Sequence, residues 1–297
     1  MGITMLDSLY QHGAEANIWV LDLDDQIGKM VAHRIGAKVE LVQLSELLDL
    51  QPALVAAREQ RSLWEFYSTL RPVLLSLVLA RLPANDALCY VDSDIYFFSS
   101  PKCIFKEAQD AVAAISPHRF SAQTRHLRIH GIYNAGLLLL RNCAAGAQIL
   151  QSWEQQCLAW CGATPQQGGR FMNQGYLTQW PQQFEGLLVM QHPGANLAPW
   201  NVGTHRIVQR DDSETFVDGL PLVCFHFSSL WRDAPGFWQT YDLCSAMHQD
   251  SVLNGMYAPY IQALENNAKA LKHQLGVEGT AQPRNRSNDA HVITLNV

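Results

Sequence analysis

The segment Tyr90-Val91-Asp92-Ser93-Asp94-Ile95-Tyr96-Phe97-Phe98 sets two carboxylates two residues apart in an otherwise apolar run. In an extended chain, residues two apart point the same way, so Asp92 and Asp94 are expected on one face. Two carboxylates in such surroundings are costly to desolvate and repel each other. A divalent cation answers both problems. Hard oxygen ligands suit Mg²⁺ or Mn²⁺, which keep positions open for water and phosphate oxygens. The plainer reading is that the two aspartates cap the turn before Pro101. Asp22-Leu23-Asp24 has the same spacing, so spacing alone does not choose. That pair leads into a polar turn and is expected to be solvated, and context favours Asp92 and Asp94.

These residues need elements to hold them. Met5, Leu6, Leu9 and Tyr10 fall at helical spacing, and Val31 to Ile35 also reads as helix. Ile18 to Asp22 and Val39 to Leu44 read as strands, and Ser45 as an N-cap. Trp64 to Leu82 predicts a strong helix, with Phe66, Leu70, Leu74 and Val78 recurring every four residues and Pro72 marking a break or kink. Leu88 to Phe98 is the most apolar strand candidate, followed by buried runs at Ala111 to Ile115 and Gly136 to Leu140. Gln148 to Trp160 is helical, and Leu187 to Met190 and Leu222 to Phe227 are late strands. Strands alternating with helices predict an α/β sheet covered on both faces. One domain over residues 1–275 is expected. From Gly276 the chain is rich in Gly, Asn, Arg, Ser and Pro, which predicts a flexible tail over 276–297.

A chain of 297 residues at 48% hydrophobic can bury a large core. Its net charge of −6 gives no long-range attraction for nucleic acid or anionic lipid, so a polyanionic partner would need a local basic pocket. The seven cysteines sit mostly among apolar neighbours and read as buried thiols in a reducing compartment. Cys157 and Cys161 lack a second Cys/His pair for structural zinc. The most apolar run, Pro72 to Leu82, is shorter than the about 20 residues of a spanning helix, and no signal peptide is visible. No transmembrane segment and a cytoplasmic location are expected.

Several segments together resemble nucleotide-sugar glycosyltransferases of the GT-A fold, similar to family 8 and related bacterial enzymes. Besides the Asp92-Ser93-Asp94 motif they are Glu65 to Pro72, Gly131 to Gly136, Asn173 to Leu177, His192 to Asn201 and Phe225-His226-Phe227, in that order. The resemblance spans the chain from its first helix to about Trp238. It implies a GT-A-like α/β fold with a mixed, mostly parallel sheet flanked by helices. It is specific for the superfamily and not for a substrate. It also implies a first strand ahead of the first helix, of which only Met1-Gly2-Ile3 would remain.

By this resemblance Asp92 approaches the nucleotide ribose and metal, Asp94 ligates the metal directly, and His226 is the third ligand. A neutral imidazole beside carboxylates suits Mn²⁺ better than Mg²⁺; the bland alternative is a satisfied core histidine. Family 8 members often carry His-x-x-Gly-x-x-Lys where this chain has His226, Ser229 and Arg232. Arginine keeps the charge for the diphosphate, while serine departs from glycine at the turn. Arg71 would contact the donor sugar or pyrophosphate, or else snorkel at the surface. Asn134 would hydrogen-bond a sugar hydroxyl, or else form a left-handed turn. Gln174 resembles the residue near the reacting anomeric carbon of retaining members. Asn173 stands where relatives often have aspartate, and it lacks the charge to act as nucleophile or base; both could instead belong to a plain helix N-terminus. Trp200, Asn201 and Trp231 could supply aromatic platforms and amides to a sugar, or serve as core anchors.

The reading is thus a metal-dependent transferase using a nucleoside-diphosphate donor, UDP-linked, with a glycan, lipid-linked or protein acceptor. The alternatives are a non-catalytic nucleotide-sugar-binding protein and a metal-dependent phosphohydrolase.

Overall fold

The computed structural model describes residues 1–13, 16–23, 28, 30–31, 39–210, 214–276 and 292–296. The expected turn at Asp24-Asp25 and most of the expected helix at Val31 to Ile35 lie outside the described residues.

The organising helix is α2 (Leu63–Arg81), preceded by α1 (Gly2–Gln11) and followed by α3 (Ala144–Ala159) and α4 (Ala258–Leu275). Ser62 and Glu65 start α2 with a capping box: Ser62 Oγ accepts from the Glu65 N–H, and the Glu65 carboxylate accepts from the Ser62 N–H at 3.0 Å. Phe66, Leu70, Val73, Leu75, Val78 and Leu79 are buried along it. By length and composition this helix could cross a bilayer, longer than the run read from sequence. Here its apolar side is part of the protein core.

The helix runs through Pro72 without ending. Proline has no N–H to give the carbonyl four residues back, which is that of Ser68. Asn173 Nδ2 donates to that same Ser68 oxygen at 2.8 Å. A side-chain amide from a distant segment thus replaces the lost helical donor.

The central sheet has the order β3-β6-β5-β7, from β3 (Ala87–Val91), β5 (Ala113–Pro117), β6 (Tyr133–Arg141) and β7 (Leu187–Val189). β6 is antiparallel to both β3 and β5, while β5 and β7 are parallel. So β3, β5 and β7 run one way and β6 alone against them, a mixed and mostly co-directional sheet. β1 (Ile18–Asp22) and β2 (Val39–Gln43) form a separate parallel pair. The Gln43 side of this pair caps the next helix, Leu44–Leu50, through a capping box with Glu46; Ser45, the expected cap, lies inside it.

The strand candidate Leu88 to Phe98 is two strands, β3 and β4 (Ile95–Phe97), split at the aspartates. β4 leaves the central sheet and pairs with β11 (Cys224–His226). A second core, built on Phe225, Phe227, Tyr257, Tyr260 and Ile261, lies under β11 and α4. At the C-terminal end β12 (Trp231–Ala234) pairs with β13 (Phe237–Tyr241), and β13 with β14 (Val292–Asn296). The last segment of the expected tail is therefore a strand, with Ile293 buried, because an alternating apolar run finds a free sheet edge.

A cleft of about 2260 Å³ opens above the aspartates. Residues of β3 and of β1 both border it.

Candidate functional site

Asp92 and Asp94 do not share the face of one strand, as alternation predicts. They flank a tight turn between β3 and β4, closed by the Ile95 N–H donating to the Asp92 carbonyl at 3.1 Å. The Asp92 N–H donates to the Gly136 carbonyl of β6 at 2.8 Å, anchoring the turn to the sheet. The β4–β11 pairing sets His226 opposite Ile95. Its Nε2 then lies 3.1 Å from Asp94 Oδ1 and 3.9 Å from Asp92 Oδ2. Sequence order does not bring these three together; the pairing of two short strands does.

One ligand atom from each of Asp92, Asp94 and His226 lies within 4.8 Å of the others, so the group could hold a divalent cation. Gly136 keeps the space open. A Cβ there would sit 2.6 Å from His226 Cε1 and 2.7 Å from Asp92 Oδ2, inside contact distance. Two carboxylate oxygens and one imidazole nitrogen make a donor set that fits Mn²⁺ or Mg²⁺.

The two oxygens of Asp92 have divided tasks. Oδ1 accepts from Arg71 Nη2 at 2.8 Å and from the Tyr90 hydroxyl at 2.7 Å. Oδ2 is the one that faces His226. Arg71 also donates to the Ala135 carbonyl at 3.0 Å, and its guanidinium lies 4.5 Å from the Tyr90 ring centroid. Arg71 is therefore a half-buried clamp on Asp92. Its Nε is buried without a partner. The role of Tyr90 was missed from sequence; tyrosine two residues before the first aspartate was the available signal.

The charges answer one another. Burial pushes the His226 pKa down, but Asp94 and then Asp92 outweigh it and hold the imidazolium above its ordinary range. Burial likewise pushes Asp94 up, and His226 brings it below the usual carboxylate value. Burial also works against charge on Arg71, whose pKa is nonetheless raised, first by Asp92. A divalent cation among the three groups would offset the repulsion between the two carboxylates.

Asn134 stands behind this corner. Its Oδ1 accepts from the Gly136 N–H at 2.9 Å and from Asn196 Nδ2 at 3.0 Å, and its Nδ2 lies 3.5 Å from Gln174 Oε1. Gln174 in turn donates to the His130 carbonyl at 3.0 Å. His118, not singled out in the sequence, lies with Nε2 3.5 Å from Asn134 Nδ2 and stacks on Phe120 at 4.6 Å. Burial drives its pKa down to about 3, so it is neutral. Trp200 packs edge-on against both His118 and His226 at 5.2 Å. Asn134, Gln174, Asn173, Trp200 and Trp231 all border the cleft.

Some expected residues stand apart. Asn201 is fully buried, accepting from the Ala198 N–H and donating to the His118 carbonyl at 3.1 Å. Its amide braces the loop, and Asn201 is not among the residues that border the cleft. Arg232 borders the cleft, but Nη2 is paired with Glu265 at 2.8 Å, not with Asp92 or Asp94. Ser229, in the place expected of glycine, adopts φ 63°, the left-handed conformation a glycine would take freely. The turn is thus kept at a cost of about 1 kcal/mol or more. Asp22 is buried, not solvated, accepting from the Gly28 N–H at 3.3 Å and from Gln43 Nε2 at 3.2 Å. Its companion Asp24 lies outside the described residues.

A mixed sheet with one reversed strand, and an acid pair in the turn after its first strand, define a GT-A-like fold. Comparison with solved structures agrees: the galactosyltransferase LgtC, in complex with donor and acceptor sugar analogues, matches with a TM-score of 0.54 at 13% identity, over 89% of this chain and 90% of that one. A structure of an active-site mutant of LgtC matches with a TM-score of 0.52 over the same shares. In sequence the chain is 28% identical over 265 residues to YfnD of Bacillus subtilis (strain 168), covering 88% of this chain and 83% of that protein. It is 29% identical over 240 residues to YfnF of the same organism, covering 76% of each. Both relatives are described only as uncharacterized proteins. No protein-family model matches the chain.

Proposed function

We propose that this protein is a metal-dependent glycosyltransferase, similar to family 8, that moves a sugar from a nucleoside-diphosphate donor, UDP-linked, to a saccharide or glycoconjugate acceptor. The observation that carries the reading is the convergence of Asp92, Asp94 and His226 at the floor of a large cleft on a GT-A-like fold. Asp94, His226 and the free oxygen of Asp92 would hold Mn²⁺ or Mg²⁺. When bound, the cation supplies positive charge to the departing diphosphate.

The chain's own groups do the positioning. Arg71 and Tyr90 lock Asp92 so that one oxygen stays aimed at the ligand corner. Gln174 presents its amide beside Asn134, where the two together orient the transferred sugar. Trp200 gives that sugar an apolar wall. Asn173 carries no charge and its amide is occupied by the Ser68 carbonyl. It offers no nucleophile, which favours same-face transfer with retention over double displacement. Arg232 serves the diphosphate by exchanging Glu265 for phosphate oxygens. The seven free thiols suit a reducing compartment, and we place the protein in the cytoplasm.

The test is slow donor hydrolysis without acceptor, screened over UDP- and GDP-sugars. Turnover of one donor, abolished by chelator and lowered by Gln174→Ala with UDP affinity unchanged, is the expected result. Metal-dependent UDP binding without turnover of any donor, with or without acceptor, would instead identify a nucleotide-sugar-binding protein.

A further inference from the structure

Trp64, Tyr67, Ser68 and Arg71 recur at i, i+3, i+4 and i+7, so they form one face of α2. All four border the cleft. The row ends inward on Asp92, through Arg71. Its outer end is unusual: Trp64 is 68% exposed and Tyr67 is 44% exposed. Seven residues of helix rise about 10 Å, so an aromatic track leads from solvent to the ligand corner. Neighbouring exposed aromatics at the mouth of a cleft supply contiguous apolar surface of the kind that interaction sites use.

A second aromatic pair borders the cleft: His130 and Phe171, with ring centroids 4.5 Å apart. The Gln174 bond to the His130 carbonyl and the Asn173 bond to the Ser68 carbonyl tie this pair to α2.

The rim carries charge. The 3₁₀ helix Arg125–His130 buries none of its residues. Its start is fixed by Thr124 Oγ1, which donates to the Trp200 carbonyl at 2.6 Å. Leu127 and His130 of this helix border the cleft, while Arg125 and Arg128 are exposed and make no ion pair with a described residue. No aspartate or glutamate occurs between Asp110 and Glu154, a stretch holding four arginines, in a chain of net charge −6. Arg119 and Arg141 of that stretch are engaged by backbone carbonyls. Arg125 and Arg128 are exposed on the same short helix, without such partners among the described residues.

Resting on the transferase reading, we propose that the Trp64–Tyr67 track and the Arg125–Arg128 rim form the acceptor subsite, and that it takes a saccharide chain bearing anionic groups. Flat aromatic side chains stack on the apolar faces of sugar rings at little entropic cost. Guanidinium forks pair with phosphate or carboxylate.

A glycan array holding phosphorylated, carboxylated and neutral oligosaccharides tests this, probed with the full chain in UDP and Mn²⁺. Wild type should retain anionic glycans. Trp64→Ala/Tyr67→Ala should weaken retention by about tenfold or more, as for aromatic anchors. Arg125→Glu/Arg128→Glu should abolish the preference for anionic over neutral glycans. UDP affinity, measured by calorimetry, should stay within about twofold in both variants, since these side chains are exposed and surface substitutions away from a site have small effects. Retention confined to neutral glycans, retention indifferent to Trp64 and Tyr67, or no retention while UDP still binds would overturn the subsite alone. Failure of wild type to bind UDP would remove the transferase reading beneath it.

Discussion

Two corners of this molecule carry an aspartate at the end of a strand, and they use it in opposite ways. At the end of β1, Asp22 turns inward and is consumed by its neighbours, the Gly28 N–H and Gln43. At the end of β3, Asp92 has one oxygen consumed by Arg71 and Tyr90 while the other faces Asp94 and His226. Both carboxylates have hydrogen-bond partners. Among the described residues, the second corner leaves acceptor capacity unspent beside a second carboxylate and an imidazole. A site of this kind is recognised by what its ligands still have free, not by the presence of the ligands.

The sharpest way to break the comparison is to delete one acid from each corner. Asp94→Ala should lower Mn²⁺-dependent UDP affinity by more than the roughly 100-fold that loss of an outer partner can cost. Asp22→Ala should leave that affinity intact and lower stability by about 1–3 kcal/mol, through orphaned buried donors. Calorimetry with UDP and Mn²⁺, paired with urea unfolding, reads both; a binding loss at Asp22 would reverse the assignment of the corners.

Asn173→Asp comes next in size. It swaps the donor on the Ser68 carbonyl for a second acceptor, beside the helical position that Pro72 leaves unsatisfied. A loss of about 1–3 kcal/mol in urea unfolding is expected. An unchanged midpoint would show that the helix tolerates Pro72 without help.

Tyr90→Phe removes one of the bonds that aim Asp92. Mn²⁺ affinity should fall about tenfold with little change in fold, as measured by Mn²⁺ titration. No change would mean that Arg71 alone sets the carboxylate.

The smallest effect concerns pH. His118 is held neutral, with its pKa lowered to about 3 by burial, while in the unfolded chain it titrates near its ordinary value. Between those values the unfolded state binds the extra proton, so stability falls as pH drops from about 6.5. Metal-free wild type should therefore lose stability between pH 7 and pH 5 faster than His118→Gln. Parallel slopes would show that His118 is not buried neutral.

Much of the fold was legible because it rests on local periodicity. The strands Ile18 to Asp22 and Val39 to Gln43, and the helix over Leu63 to Arg81, follow from apolar spacing and, for the helix, the Ser62–Glu65 cap. What misled was locality itself. Leu88 to Phe98 reads as one strand, because nothing within it announces that the chain turns at Ser93 and changes sheets. The last strand, Val292 to Asn296, was hidden by the composition of the residues before it.

The site divides the same way. The sequence offered the acid pair by its apolar context and the neutral residue at Asn173 by its type, and His226 as a candidate third ligand only through the family resemblance. Side-chain chemistry is written in the chain and needs no fold to be read. Only the tertiary structure decided which partners satisfy each group: Arg71 and Tyr90 on Asp92, Glu265 on Arg232, the loop backbone on Asn201, and the Ser68 carbonyl on Asn173. The reason is physical. A buried polar group takes whichever partner comes within about 3 Å, and these partners lie from two to more than a hundred residues away in the chain, at distances that only strand pairing and helix packing set.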